Sequence, residues 1–151
     1  MSISNFRFRK SIWKITIKGE GEYAKEFVID NNSIHGSMKI PTKYLTDNKS
    51  HILTIERSKK PFHRPTLLLA TGAGIDNLHS KRNELSFTVT AEVHTTIKVY
   101  SPFKPQIKIG NQKIYFGWDE KRNYAWIDTI VKPSIPIVIT TLQGKKTHNS
   151  I

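Results

Sequence analysis

Apolar and polar side chains alternate at every second residue, and this pattern limits the folds open to the chain more than any other feature. In ELSFTVTAEV (84–93), Leu85, Phe87, Val89, Ala91 and Val93 fall on one side, with Glu84, Ser86, Thr88, Thr90 and Glu92 on the other. A period of two marks a β-strand with one dry and one wet face. SIWKITIKG (11–19) repeats it, with Trp13, Ile15 and Ile17 inward and Lys14, Thr16 and Lys18 outward. HILTIERS, TTIKVYS, QIKIG and IPIVIT read the same way. Turn formers separate these runs: Gly19-Glu20-Gly21, Asn31-Asn32, Asp47-Asn48, Gly72-Ala73-Gly74 and Gly110-Asn111. TLLLATG (66–72) is apolar on both parities and reads as a central strand. Only PTKYLTD (41–47) suits a helical turn, which Pro41 can open. About nine short strands and no long amphipathic helix predict an all-β fold. The expected architecture is an antiparallel β-sandwich of Greek-key or jelly-roll type, with a β-barrel as the alternative.

A chain of 151 residues can bury a core without covalent staples, so a single domain spanning 1–151 is expected. Its ordered part should run from about residue 6 to about residue 142, leaving a frayed basic C-terminal tail, QGKKTHNSI. The absence of cysteine excludes disulfides, thiolate chemistry and cysteine-type zinc sites. The longest apolar run, Thr66 to Ala70, is too short to span a bilayer. No apolar segment follows the basic start MSISNFRFRK, so no export signal is read there. Lys and Arg number 24 against 12 Asp and Glu, a net charge of +12. A field of that sign attracts anionic partners such as nucleic acid or acidic glycans. The cations are nevertheless spread in small groups, including Arg57-Lys59-Lys60-His63-Arg64 and Lys121-Arg122, which also suits a solvated surface.

Catalytic and metal-binding patterns are missing. The six histidines stand singly, without the spacing of a metal site. ATGAGID (70–76) lacks the Lys-Ser/Thr pair of a phosphate loop. Asp119 and Glu120 are side by side in a turn, whereas glycosidic acid/base work needs facing carboxylates in a cleft. PFHRP (61–65) groups a ring, an imidazole and a guanidinium in a proline-bounded loop suited to structure or to an anionic or sugar ligand. A non-enzyme with no cofactor is expected.

The richest segment is KIYFGWDEKRNYAWID (113–128), five aromatic rings around a polar centre. It reads as a hairpin. A four-residue loop, Asp119 to Arg122, sets Trp118 opposite Asn123, Phe116 opposite Ala125 and Ile114 opposite Ile127. A five-residue loop would place Asp128 on the face of both tryptophans, so the first register separates polar from apolar better. It sends Trp118 inward and leaves Tyr115, Tyr124 and Trp126 as an outward strip edged by Lys113 and Asp128, with Arg122 in the turn. Flat exposed rings beside hydrogen-bonding groups can stack on a sugar's C–H face or on a nucleobase. The same rings can instead pack under a loop or against a partner domain.

Residues 94–140, HTTIKVYSPFKPQIKIGNQKIYFGWDEKRNYAWIDTIVKPSIPIVIT, resemble the last β-sandwich domain that follows the catalytic barrel in many glycoside hydrolases. The resemblance rests on Val99-Tyr100-Ser101-Pro102, on Ile107-Lys108-Ile109-Gly110-Asn111, on the hairpin Trp118 to Asn123, and on the final strand Ile135 to Ile139. It implies a non-catalytic accessory sandwich that binds carbohydrate, an acidic glycan included, or supports a carbohydrate-active enzyme as parent or partner. The alternatives are a basic single-stranded nucleic-acid-binding module and a purely structural or interaction domain. Weak polyanion binding follows from charge in every case.

Overall fold

Period-two segments pair into fourteen strands, joined by a single helical turn, in a computed structural model that describes residues 1–142. The expected basic tail lies outside the described residues. Three sheets form and none closes on itself, so the sandwich reading holds and the barrel does not. The helical turn α1 (Thr42–Leu45) follows Pro41, as the sequence predicts.

The first sheet holds β1 (Ser2–Phe8), β2 (Ser11–Gly19), β3 (Tyr23–Ile29), β4 (Asn32–Ile34) and β5 (Ser50–Ser58), in the order β1-β2-β5-β3-β4. Its β2 and β5 pair in parallel, a departure from the all-antiparallel expectation. Parallel neighbours need a long return path, which β3, β4 and the segment through α1 supply. The chain start is not loose: β1 begins at Ser2 and pairs with β2.

The remaining strands form two facing sheets. One contains β6 (Thr66–Ala70), β9 (Val93–Tyr100), β12 (Gly117–Asp119) and β13 (Tyr124–Val131), ordered β12-β13-β9-β6. The other contains β7 (Ile75–Ser80), β8 (Glu84–Val89), β10 (Pro105–Ile109), β11 (Gln112–Lys113) and β14 (Ile137–Thr141), ordered β11-β10-β14-β8-β7. Leu67, Ile97, Val99 and Ile127 from the first of these meet Leu85, Phe87, Ile107, Ile137 and Ile139 from the second, all essentially buried. Each such side chain stabilises the fold by roughly 1.5–3 kcal/mol through burial.

Hydrophobic side chains gather in two clusters, where a single core was expected. The second surrounds Trp13, Phe27, Ile29 and Leu53 on the inner face of the first sheet. The clusters are stitched together where the chain after β4 runs along the edge of β6. There the Leu67 N–H donates to the Gly36 carbonyl (2.7 Å) and the Met38 N–H to the Leu67 carbonyl (2.7 Å).

Two strand readings change. The run 84–93 is cut after Val89, because the Thr90 N–H turns to the Gly74 carbonyl and the chain crosses to the opposite sheet at β9. Ala91 is accordingly exposed. β6 is an edge strand, not a central one: a bulge between Leu67 and Leu69 leaves Leu67 buried and Leu69 43% exposed.

Candidate ligand-binding face

The outer face of the β12-β13-β9-β6 sheet is built by alternation along β13. Ala125, Ile127 and Val131 are buried, whereas Trp126, Asp128 and Ile130 face out. The hairpin register is Gly117 opposite Trp126, Trp118 opposite Ala125 and Asp119 opposite Tyr124. It lies two residues from the expected register. A slip of two preserves the faces, so Trp118 and Phe116 still pack against the core and Trp126 still points out. The turn chemistry explains the slip. Asn123 takes φ of 57°, a left-handed conformation asparagine tolerates, and the Asp119 carboxylate accepts the N–H groups of Lys121 (3.0 Å) and Arg122 (3.1 Å). Asp119 therefore closes the strand and the loop becomes Glu120 to Asn123.

Gly117 seats the exposed tryptophan. A methyl group built on its backbone would collide with the Trp126 indole, so the ring packs against bare main chain at Gly117 and keeps 42% of its surface exposed. Opposite Trp126 on the other side stands Lys98 of β9, whose ammonium sits 3.9 Å from the centroid of the Tyr124 ring. That cation–π contact holds the lysine head beside the platform. Further along β13, the Asp128 carboxylate lies 3.1 Å from His94 Nε2 and accepts from the Thr96 hydroxyl at 3.4 Å.

Tyr124, Trp126 and Asp128 share one face of β13, as their alternation in the sequence predicts. Two other residues fall elsewhere. Lys113 belongs to β11 of the opposite sheet, facing Lys108, because the chain changes sheets at Ile114 to Phe116. Tyr115 stands on that crossover, 99% exposed, and stacks on no other ring among the described residues. Arg122 stays in the turn, 3.5 Å from the Asp119 carboxylate. Lys98, His94 and Thr96 were missed. Their shared parity in HTTIKVYS (94–101) was readable, but their adjacency to β13 is a matter of topology.

At the Tyr124 end the face is covered. Tyr100, opposite Tyr124, is buried beneath Phe62 of the PFHRP loop, with ring centroids 5.4 Å apart. Burial pushes the Tyr100 hydroxyl above its usual pKa, against a lowering hydrogen bond with Asn123. Behind Phe62 opens a cleft of about 430 Å³ whose walls include Lys60, His63, Arg64 and His35, together with Glu26. Lys60 and Arg64 have no carboxylate within ion-pair distance among the described residues.

One titratable cluster lies away from this face. The His51 side chain, 3% exposed, is held between Asp30 (Nδ1 to Oδ2, 2.6 Å) and Asp47 (Nε2 to Oδ1, 2.9 Å). Burial lowers the imidazole pKa, but the two carboxylates outweigh it and the net shift is upward. The carboxylates occupy opposite ring nitrogens and cannot converge on one ion. Among the described residues no group of three or more such side chains is arranged to hold a metal, and no helix is long and apolar enough to cross a membrane. Comparison with protein-family models, with curated proteins and with solved structures finds no match for this chain.

Proposed function

We propose that this protein is a non-catalytic carbohydrate-binding module whose site is the outer face around Trp126. A single observation carries the reading: a half-exposed tryptophan packed against a glycine on an outer sheet face, with an ammonium and a carboxylate as neighbours. The indole offers an apolar surface for the C–H face of a sugar ring. Lys98 donates to hydroxyl or carboxylate oxygens, and Asp128 accepts from hydroxyls. The unpaired cations of the neighbouring cleft, Lys60 and Arg64, favour a glycan that carries acidic units. The resemblance of residues 94–140 to accessory sandwich domains of glycoside hydrolases supports the same reading.

The test is calorimetric titration with neutral oligosaccharides, with uronate oligosaccharides and with a single-stranded oligonucleotide, at low salt and at about 0.15 M. Oligosaccharide binding that persists at the higher salt and disappears in Trp126→Ala is expected. Oligonucleotide binding that survives that salt and depends on Trp126 would overturn the proposal in favour of base stacking.

A further inference from the structure

A cavity of about 350 Å³ lies under β1, on the inner face of the first sheet, at the low end of the roughly 300–1,000 Å³ typical of small-molecule sites. It is remote in the chain from the β13 face and shares none of that face's residues.

The apolar walls are buried on the β2 and β5 side and half exposed on the β1 side. Phe6 sits opposite Trp13, and Phe8 opposite Ser11, so both rings share the inward face of Trp13. Trp13 is 2% exposed, whereas Phe6 and Phe8 remain 45% and 44% exposed and stack in parallel 6.4 Å apart. Leu53 contributes to the same lining. Poor packing alone would explain an apolar void.

Polar groups in the same lining speak against that explanation. The Trp13 indole N–H and the Thr42 hydroxyl are both buried, and neither has a hydrogen-bond partner among the described residues. Orphaned buried donors are uncommon in folded proteins. Two cations also line the cavity, Lys39 and Arg9, with no carboxylate within ion-pair distance of either. The Lys39 ammonium donates to the Ala70 carbonyl at 3.1 Å, and the Arg9 guanidinium lies over the Phe8 ring at 5.7 Å. Burial first, and repulsion by Arg9 second, lower the Lys39 pKa, as expected of cations left without a counter-charge.

Aromatic walls, two orphaned polar groups and two unneutralised cations define the complement of one chemical class. We infer that the cavity binds a small amphipathic carboxylate, with its hydrocarbon against Phe6, Phe8 and Leu53 and its carboxylate toward Lys39 and Arg9. At about 30 Å³ per heavy atom, the share of a water in the liquid, the volume holds roughly ten to twelve non-hydrogen atoms. Decanoate has that size.

The experiment follows the tryptophan indole N–H signals of the full chain by NMR while decanoate is titrated, with decanol as the neutral control. The Trp13 signal is assigned from Trp13→Phe. Saturable binding that moves the Trp13 signal is expected, with decanol at least tenfold weaker. Lys39→Gln should weaken decanoate at least tenfold and leave decanol unchanged. Arg9→Gln, at an exposed position, serves as the second variant should Lys39→Gln fail to fold. A Trp13 signal unmoved at millimolar decanoate would overturn the inference. So would equal binding of decanoate and decanol that neither variant alters, since the cavity would then be a void that takes up any alkyl chain.

Discussion

Gly117→Ala separates the platform from the scaffold that carries it. The new methyl group falls where the Trp126 indole now lies, so the ring must swing off its seat. Gly117 is not among the glycines with positive φ, and alanine therefore adds no backbone strain. A tryptophan side chain presents up to about 250 Å², and with 42% exposed somewhat more than half of it is covered. If about 50 Å² of that rests on Gly117, exposing it at about 25 cal/mol per Å² costs roughly 1.2 kcal/mol. Alanine restricts the unfolded chain and offsets about 0.4–1 kcal/mol of this. The net loss is below about 1 kcal/mol, which shifts Tm by no more than about 2–4 °C in a chain of this size. Ligand affinity should fall far more, by at least tenfold or about 1.4 kcal/mol, because the stacking surface has moved. Thermal melts and titration with an oligosaccharide bound by the wild type measure both quantities. Wild-type affinity in Gly117→Ala would refute the platform, and a Tm loss beyond about 10 °C would show that the indole belongs to the core.

Trp118→Ala should behave in the opposite way, losing about 2 kcal/mol or more in denaturant titration, because Trp118 packs against the sandwich core. The Asp30–His51–Asp47 cluster makes stability depend on pH at both ends. Its histidine has a raised pKa, so its contribution is complete below the unfolded value of 6.5 and is lost as pH rises through the higher folded value. The carboxylates of Asp30 and Asp47 are shifted down by their His51 hydrogen bonds despite opposing burial; their contribution is complete above 3.8 and is lost as pH falls through the lower folded values. Melting curves across pH should therefore show a maximum between those limits, and His51→Phe should remove the fall on the alkaline side. Heparin should bind at low salt through the net charge of +12 and be mostly released at about 0.15 M, as judged by elution from a column.

Faces were readable in the sequence where a strand is half buried. The outward set Tyr124, Trp126 and Asp128 and the inward Trp118 survive in the structure although the register slipped, since a slip of two leaves parity unchanged. Sheet membership was not readable. The unbroken alternation of 84–93 hides a crossing between sheets, and the stretch from Lys113 to Trp118 hides another. The first crossing is marked by a distant partner, the Gly74 carbonyl for Thr90, and the second follows the last hydrogen bond of the β10–β11 hairpin, from the Ile114 N–H to the Ile107 carbonyl. Lys98 comes to the site by strand pairing, and the separate His51 cluster likewise depends on a distant partner, Asp30, 21 residues away in the chain. Spacing of histidines and carboxylates along the sequence carries no trace of a contact made by a strand inserted between two others.

The most direct test of the glycan-binding face is the set of tryptophan indole N–H signals during titration with neutral and uronate oligosaccharides. Three tryptophans give three signals, and only Trp126 stands on the proposed face. A saturable shift of the Trp126 signal, with those of Trp13 and Trp118 unmoved, is the predicted result. Oligosaccharide binding that leaves Trp126 still, or a complete panel that moves no indole signal, would contradict it.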